Sequence, residues 1–192
     1  IREIVSQNTD IKVWNLSLGS NDEIKDNFIS AEAAVLDEIQ FEYDVIFVIA
    51  GTNGRMNGEQ RKKIGSPADS LNSLIVNSVD FNNHPANYSR KGIVLSFFIK
   101  PDIAYYGGGN GQFINVCEPL GSARVSGTSY AAPLVARKLA YLIYIMGLSR
   151  EEAKALLIDS AINWNDKKTF EERILIGNGI IPVRIEDILS TP

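Results

Sequence analysis

Residues 126–133, Ser-Gly-Thr-Ser-Tyr-Ala-Ala-Pro, crowd small side chains around Ser129 at the entrance to an apolar run. A serine in that place has its backbone N–H among the unpaired donors of a helix N-terminus, where the positive end of the dipole stabilises a developing oxyanion. Pro133 has no N–H to bond the carbonyl four residues earlier, so the first turn can open around residue 129. Gly127 and the two alanines leave room for a substrate backbone. The chemistry this suits is nucleophilic attack by the Ser129 hydroxyl. A plainer reading competes with it: serine is a common N-cap, and Ser129 would then only start the helix. Other groups offer less. Gly107-Gly108-Gly109-Asn110-Gly111 suggests a phosphate cradle, but no Gly-x-x-x-x-Gly-Lys-Ser/Thr occurs and the run does not join a convincing strand to a helix. Cys117 is the only cysteine, which excludes an intrachain disulfide and a Cys-built zinc site.

The element presenting Ser129 is expected to be a helix over 129–146. Leu134, Val135, Leu139, Ala140, Leu142, Ile143 and Ile145 make it apolar nearly all round, which implies a central buried position, and Gly147 ends it. Upstream, Ile11 to Leu18 and Val45 to Ala50 are short β-branched runs of the kind covered on both faces of a parallel sheet. Between them Ile24, Phe28, Ala31, Val35 and Ile39 repeat at helical spacing, with Ser20 and Glu23 as a capping box, so the three segments read as one βαβ unit. Leu74 to Val79 reads as a third strand, reached through a long polar loop from Thr52 to Ser73. A loop-rich stretch follows, with short strands such as Ile93 to Phe97 and Phe113 to Val116. Ser149 and Glu152 form a second capping-box pattern ahead of an amphipathic helix ending near Ala161, and a last short helix is expected over Val183 to Leu189. Ile1, Ile4 and Val5 read as the end of a helix whose beginning lies upstream.

The 192 residues make one compact domain, and 45% apolar with 22% charged residues is the composition of a soluble globular protein with a real core. Nineteen basic against 23 acidic residues, a net charge of −4 and no long run of one sign argue against nucleic acid or an anionic membrane as partner. The N-terminus carries no signal-peptide pattern, and Leu139 to Leu148, the longest apolar tract, is far short of about 18 consecutive residues for a transmembrane span. The chain reads as a soluble fragment.

Ser-Gly-Thr-Ser-Tyr-Ala-Ala-Pro resembles the nucleophile signature of the subtilisin-like serine proteases, the S8 peptidase family. Further matches run in order along essentially the whole chain. Val13 to Gly19 resembles the family strand that ends in Ser-Leu-Gly, and Val45 to Gly54 its buried strand entering an Ala-Gly-Asn-x-Gly turn. Pro67-Ala68 and Leu74 to Asp80 resemble a stretch ending in Val-Asp. Tyr88 to Gly92 is similar to Phe-Ser-x-x-Gly, Lys100-Pro101-Asp102 to Lys-Pro-Asp, and Gly177 to Ile181 to a closing Gly-x-Gly segment. The resemblance implies an α/β fold, a mainly parallel β-sheet flanked by helices in three αβα layers, of which residues 1–192 form the C-terminal portion, truncated at its N-terminus. It also implies that Ser129 is the nucleophile of a serine endopeptidase, with its N–H as one arm of the oxyanion hole. Ser17, Leu18 and Gly19 match the edge that pairs with an extended peptide, and Ile49, Ala50 and Gly51 the strand end walling the primary specificity pocket. Plain sheet packing is the competing role for these six.

Two departures from the family pattern stand out. The gapless match puts Thr52 where the family has an oxyanion-hole asparagine, with Asn53 one place later; Thr52 is preferred here, although a one-residue shift in the turn would present Asn53. Losing that donor costs about 10²–10³ in turnover, a magnitude measured in this same family. The family's catalytic Asp and His lie upstream of the Ser-Leu-Gly strand and so are not in this chain, which alone is expected to be inactive. Asp80, His84 and Ser129 imitate the family's order, but Asn82-Asn83-His84-Pro85 is a turn composition, and His84 is read as an exposed loop histidine. No cofactor is expected. Structural calcium, which the family uses, is not readable from Asp69, Asp80 and Asp102, because no alternating acidic loop occurs. The expected partners are a peptide or protein substrate, the missing N-terminal part of the same domain, and further copies through an exposed sheet edge. The lack of paired cysteines leans towards a cytoplasmic setting. The alternative function is a degenerate domain that binds extended peptides or a partner without cutting, with the Thr52 departure as its support.

Overall fold

Four short, largely apolar strands assemble into a parallel sheet. The computed structural model describes residues 1–54, 61–161 and 169–190, so part of the loop between Thr52 and Ser73 lies outside the described residues. After helix α1 (Arg2–Gln7) come β1 (Val13–Leu16), α2 (Ala31–Tyr43), β2 (Ile46–Ala50) and β3 (Leu74–Val79). The hairpins β4 (Gly92–Val94) with β5 (Phe98–Lys100) and β7 (Ile114–Glu118) with β8 (Gly121–Val125) flank β6 (Ile103–Tyr106). Helices α3 (Thr128–Tyr144), α4 (Arg150–Asp159), α5 (Phe170–Ile176) and α6 (Ile185–Leu189) close the chain. The sheet order is β1-β2-β3-β6, all neighbours parallel, with Val13 opposite Ile46, Val48 opposite Leu74 and Val76 opposite Ile103.

Alternation along the strands divides the core into two layers. Ile46, Val48, Ala50, Leu74, Val76, Ile103 and Tyr105 face Ala131, Ala132, Val135, Leu139 and Leu142 of α3, with Ala153 and Leu157 of α4 behind. Phe47, Ile49 and Ile75 face Leu36 and Ile39 of α2, with Val5 of α1. The result is the expected αβα arrangement. Strands β2 and β3 are buried throughout, whereas β1 pairs on one side only and is half exposed, the pattern of an edge strand.

Four expectations are corrected. Helix α2 starts at Ser30, not at Ser20: the Asp69 carboxylate accepts from Ser30 N–H and Oγ–H, both at 2.7 Å, and the Ser30 hydroxyl caps Ala33 N–H. Ser20 and Glu23 form no box, since Ser20 Oγ accepts from Asp22 N–H and Glu23 from Lys63 N–H; Ile24 is buried from a loop and Phe28 is exposed. The run from Ile93 to Phe97 is not one strand, because Leu95 and Ser96 both adopt positive φ and reverse the chain into the β4–β5 hairpin. Strand β6, four residues long and hidden between Pro101 and the glycine run, is missing from the sequence reading. Helix α3 is buried along one side only: the sheet covers its alanine, Val135 and Leu139 face, while Leu134, Tyr141, Tyr144 and Ile145 remain exposed. The box at Ser149 and Glu152 forms as read, starting α4. No helix among the described residues is long and apolar enough to cross a membrane.

Candidate active site

The carboxyl ends of parallel strands open a crevice in which helix N-termini and loop backbones meet, and here β1, β2 and the first turn of α3 converge there. Ser129, half buried, is the second residue of α3. The carbonyl released by Pro133 does not stay empty-handed: Ser17 Oγ–H donates to Ser129 O at 3.0 Å, and Ser129 Oγ–H donates back to Ser17 O at 3.3 Å. Asn15 Nδ2 donates to Ser17 Oγ at 2.9 Å, fixing the hydroxyl on its other side. The strand end and the helix mouth are thus bolted together across 112 positions of sequence. Asn15 was not singled out from the sequence, and its one signal is its place two residues before Ser17 on the same face of the strand.

The turn after β2 sends Thr52 and Asn53 in different directions. Thr52 takes φ 65, and its side chain turns into the gap between Gly19 and Gly65: Gly65 N–H donates to Thr52 Oγ1 at 3.1 Å, and a Cβ on Gly19 would collide with the Thr52 methyl. Asn53, not Thr52, reaches the mouth of α3. Its Oδ1 accepts from Thr128 N–H at 3.1 Å and from Thr128 Oγ–H at 2.9 Å. Because a backbone N–H can only donate, the atom facing it is the amide oxygen, which leaves Nδ2 on the side of Gly127, 3.1 Å from the position a Cβ would take there. The turn is held from behind. Arg90, buried, donates to Asn53 O at 3.1 Å, to Asn21 O at 3.0 Å and to Ser20 O at 3.3 Å, and Gly54 N–H donates to Tyr88 O. Burial lowers the Arg90 pKa, against the pull of Glu23 and Asp22. Arg90 and Thr128 stood in the quoted motifs without a role, and nothing local in sequence marks either as a support.

Among the expected pocket walls, Ile49 and Ala50 are buried with their side chains in opposite core layers, so only their backbone can face the crevice. Gly51 is packed so closely that a Cβ would overlap Asn77 Oδ1. Leu18 and Gly19 are exposed beyond the end of β1. The glycine run is a structural floor. Gly107 O accepts from Gly127 N–H at 2.9 Å, and the carbonyls of Gly107 and Gly108 converge on the Tyr88 hydroxyl, whose pKa burial pushes up to about 12. Carbonyl oxygens pointing inward are the wrong polarity for phosphate.

The three aspartates weighed for calcium lie in separate places with protein donors. Asp69 holds Ser30; Asp102 accepts from Ile75 N–H and from the buried Lys100 ammonium at 2.8 Å; Asp80 accepts from Asn82 N–H, His84 N–H and Asn110 Nδ2. Burial works to raise the Asp80 pKa, but the Asn110, His84 and Asn82 hydrogen bonds outweigh it and hold the carboxyl below its ordinary range. No group of three or more His, Cys, Asp or Glu among the described residues is placed to hold a metal ion. His84 is 72% exposed with Nδ1 3.5 Å from Asp80, in a turn beyond β3.

The first turn of α3 thus carries a half-buried hydroxyl, Ser129, with the Asn53 amide held by Thr128, the residue before it, and the exposed Leu18 and Gly19 beyond the end of β1. The model of the subtilase family, Peptidase S8, matches residues 1–179, and the chain belongs to that family. Among curated proteins it is 25% identical over 177 residues to "Subtilisin-like protease SBT6.1" of Arabidopsis thaliana, covering 85% of this chain and 16% of that protein. It is 28% identical over 140 residues to "Membrane-bound transcription factor site-1 protease" of Homo sapiens, covering 69% of this chain and 12% of that one. The chain thus spans less than a fifth of those relatives. Among solved structures, the prenylagaramide maturation protease PagA superimposes with a TM-score of 0.71 at 23% identity, over 99% of this chain and 66% of that one. The patellamide maturation protease PatA gives 0.70 at 20%, over 98% and 66%. The fold is that of subtilase protease domains, and the relatives named are proteases.

Proposed function

We propose that residues 1–192 are the nucleophile-bearing, C-terminal part of a single subtilisin-like endopeptidase domain. Its acid and base would come from sequence outside this chain. The observation that supports the reading is that two side chains are held at the first turn of α3, the Ser129 hydroxyl by Ser17 and the Asn53 amide by Thr128. In the reaction, an extended peptide lies along Ser17 to Gly19 as an added strand, and Ser129 Oγ attacks the scissile carbonyl as the base takes its proton. Ser129 N–H and Asn53 Nδ2 then donate to the oxyanion, and the adduct collapses by breaking the C–N bond, the amine leaving with the proton held by the base and an acyl-enzyme remaining on Ser129. The rest of the domain would cover the unpaired edge of β1 and the exposed Leu134, Tyr141 and Ile145 side of α3. With Asn53 at the helix mouth, the Thr52 position no longer supports a purely binding, non-catalytic domain. The test is made on the full-length protein: a fluorophosphonate probe should label Ser129, and Ser129→Ala should abolish peptide cleavage. Wild-type turnover in Ser129→Ala, or labelling of another residue, would remove the reading.

A further inference from the structure

Thr52 stands in a conformation that a β-branched residue rarely adopts, φ 65, so its surroundings must hold it there. They do so on three sides. Gly65 N–H donates to its hydroxyl at 3.1 Å, its methyl presses on Gly19, and the wall beyond is closed by Ser20 N–H donating to Ser66 O at 2.6 Å. The residue is 8% exposed. The groups of the proposed site surround it: Asn53 is clamped to Thr128, Gly51 follows β2 and packs against Asn77, and Ser17, two residues before Gly19, is bonded to Ser129. On that reading of Ser129 and Asn53, a peptide lying along Ser17 to Gly19 would turn the side chain next to its scissile carbonyl towards the space between Gly19 and the Gly51–Thr52 step. The Thr52 methyl is packed against Gly19 in that space.

We propose that Thr52 plugs the pocket for the residue supplying the scissile carbonyl and restricts the substrate to glycine or alanine there. This rests on the reading of Ser129 and Asn53 given above. Larger side chains would have to displace a buried methyl and the Gly65 hydrogen bond at once, which close-packed interiors resist.

The experiment uses the full-length protein and four peptides of one sequence differing only at that residue: glycine, alanine, leucine or phenylalanine. The ratio of kcat/KM values should favour glycine or alanine over leucine and phenylalanine by about 100-fold or more. Thr52→Gly suits the positive φ and empties the gap, so it should shrink that ratio by about tenfold or more. Thr52→Ser keeps the hydroxyl on Gly65 and drops only the methyl; it should shift the ratio in the same direction and serves if Thr52→Gly does not fold. Equal or faster cleavage of the leucine and phenylalanine peptides by the wild type, abolished by Ser129→Ala, would overturn the plug while leaving the nucleophile in place. Cleavage that survives Ser129→Ala, or no cleavage and no fluorophosphonate labelling at all, would overturn both.

Discussion

The proposed function gives Asn53 two separable jobs, and one substitution can part them. Its Oδ1 accepts two hydrogen bonds from Thr128, at 3.1 and 2.9 Å, and its Nδ2 is left facing the mouth of α3. Asn53→Asp keeps an acceptor for both Thr128 donors and adds a negative charge at a helix N-terminus, worth about 0.3–1 kcal/mol in favour of the fold. It also replaces the only donor on that side chain with an oxygen. Stability is therefore expected to hold within about 1 kcal/mol, while turnover falls by about 10²–10³ or more, the loss measured for this donor elsewhere in the family. Asn53→Ala should cost both: a comparable fall in turnover, and about 1–2 kcal/mol of stability as the Thr128 N–H loses its side-chain cap. The assay pairs kcat on a glycine peptide with chemical denaturation of the full-length protein. An Asn53→Asp protein with turnover within threefold of wild type would show that Nδ2 does not meet the oxyanion. One that loses several kcal/mol of stability would show that the Thr128 contacts are not what the amide oxygen provides.

The Lys100 ammonium is fully buried and bonded to Asp102 at 2.8 and 3.0 Å, to Ser73 O at 3.1 Å and to Leu71 O at 3.3 Å, so Lys100→Met should destabilise by about 3–5 kcal/mol by stranding a buried carboxylate. The double variant Lys100→Met, Asp102→Asn should recover much of that loss in denaturant titrations, and a double variant as unstable as the single would refute the charge argument. Burial, opposed by Asp102 and aided by Lys154, lowers the Lys100 pKa to about 8 from 10.5. Between those values the unfolded chain keeps a proton that the folded one has shed, so stability should rise with pH across this window by at most about 1.4 kcal/mol per unit. Tyr88 acts in the opposite sense above its unfolded pKa of 10, because the folded hydroxyl holds its proton to about 12. Denaturation at several pH values from 7.5 to 10 should show the rise in wild type and not in Lys100→Met; parallel curves would refute it.

The elements legible in the sequence are those whose signal is local and periodic. Strand β2 is an uninterrupted apolar run and β3 opens with one, α3 carries its own 3.6-residue repeat, and the Ser149–Glu152 box is complete within four residues. Ser129 and its small neighbours are adjacent in the chain, so a candidate nucleophile could be picked out and the family followed from the ordered motifs. The failures share one cause, a partner far away in sequence. Ile24 and Phe28 fit a helical repeat, yet Asp69 takes the Ser30 N–H and sets the start of α2 ten residues later than the Ser20 signal. Thr52 and Asn53 are adjacent and both polar, and composition cannot rank them. Gly65, Gly19 and Thr128 do so, by accepting one side chain into a gap and clamping the other at the helix mouth. The sequence by itself determined which hydroxyl could be a nucleophile and that an α/β sheet would carry it, because those follow from residue order and period. Tertiary structure alone decided which of Thr52 and Asn53 turns to the mouth of α3 and which packs between Gly19 and Gly65, because a turn takes its φ and its side-chain directions from whatever packs against it.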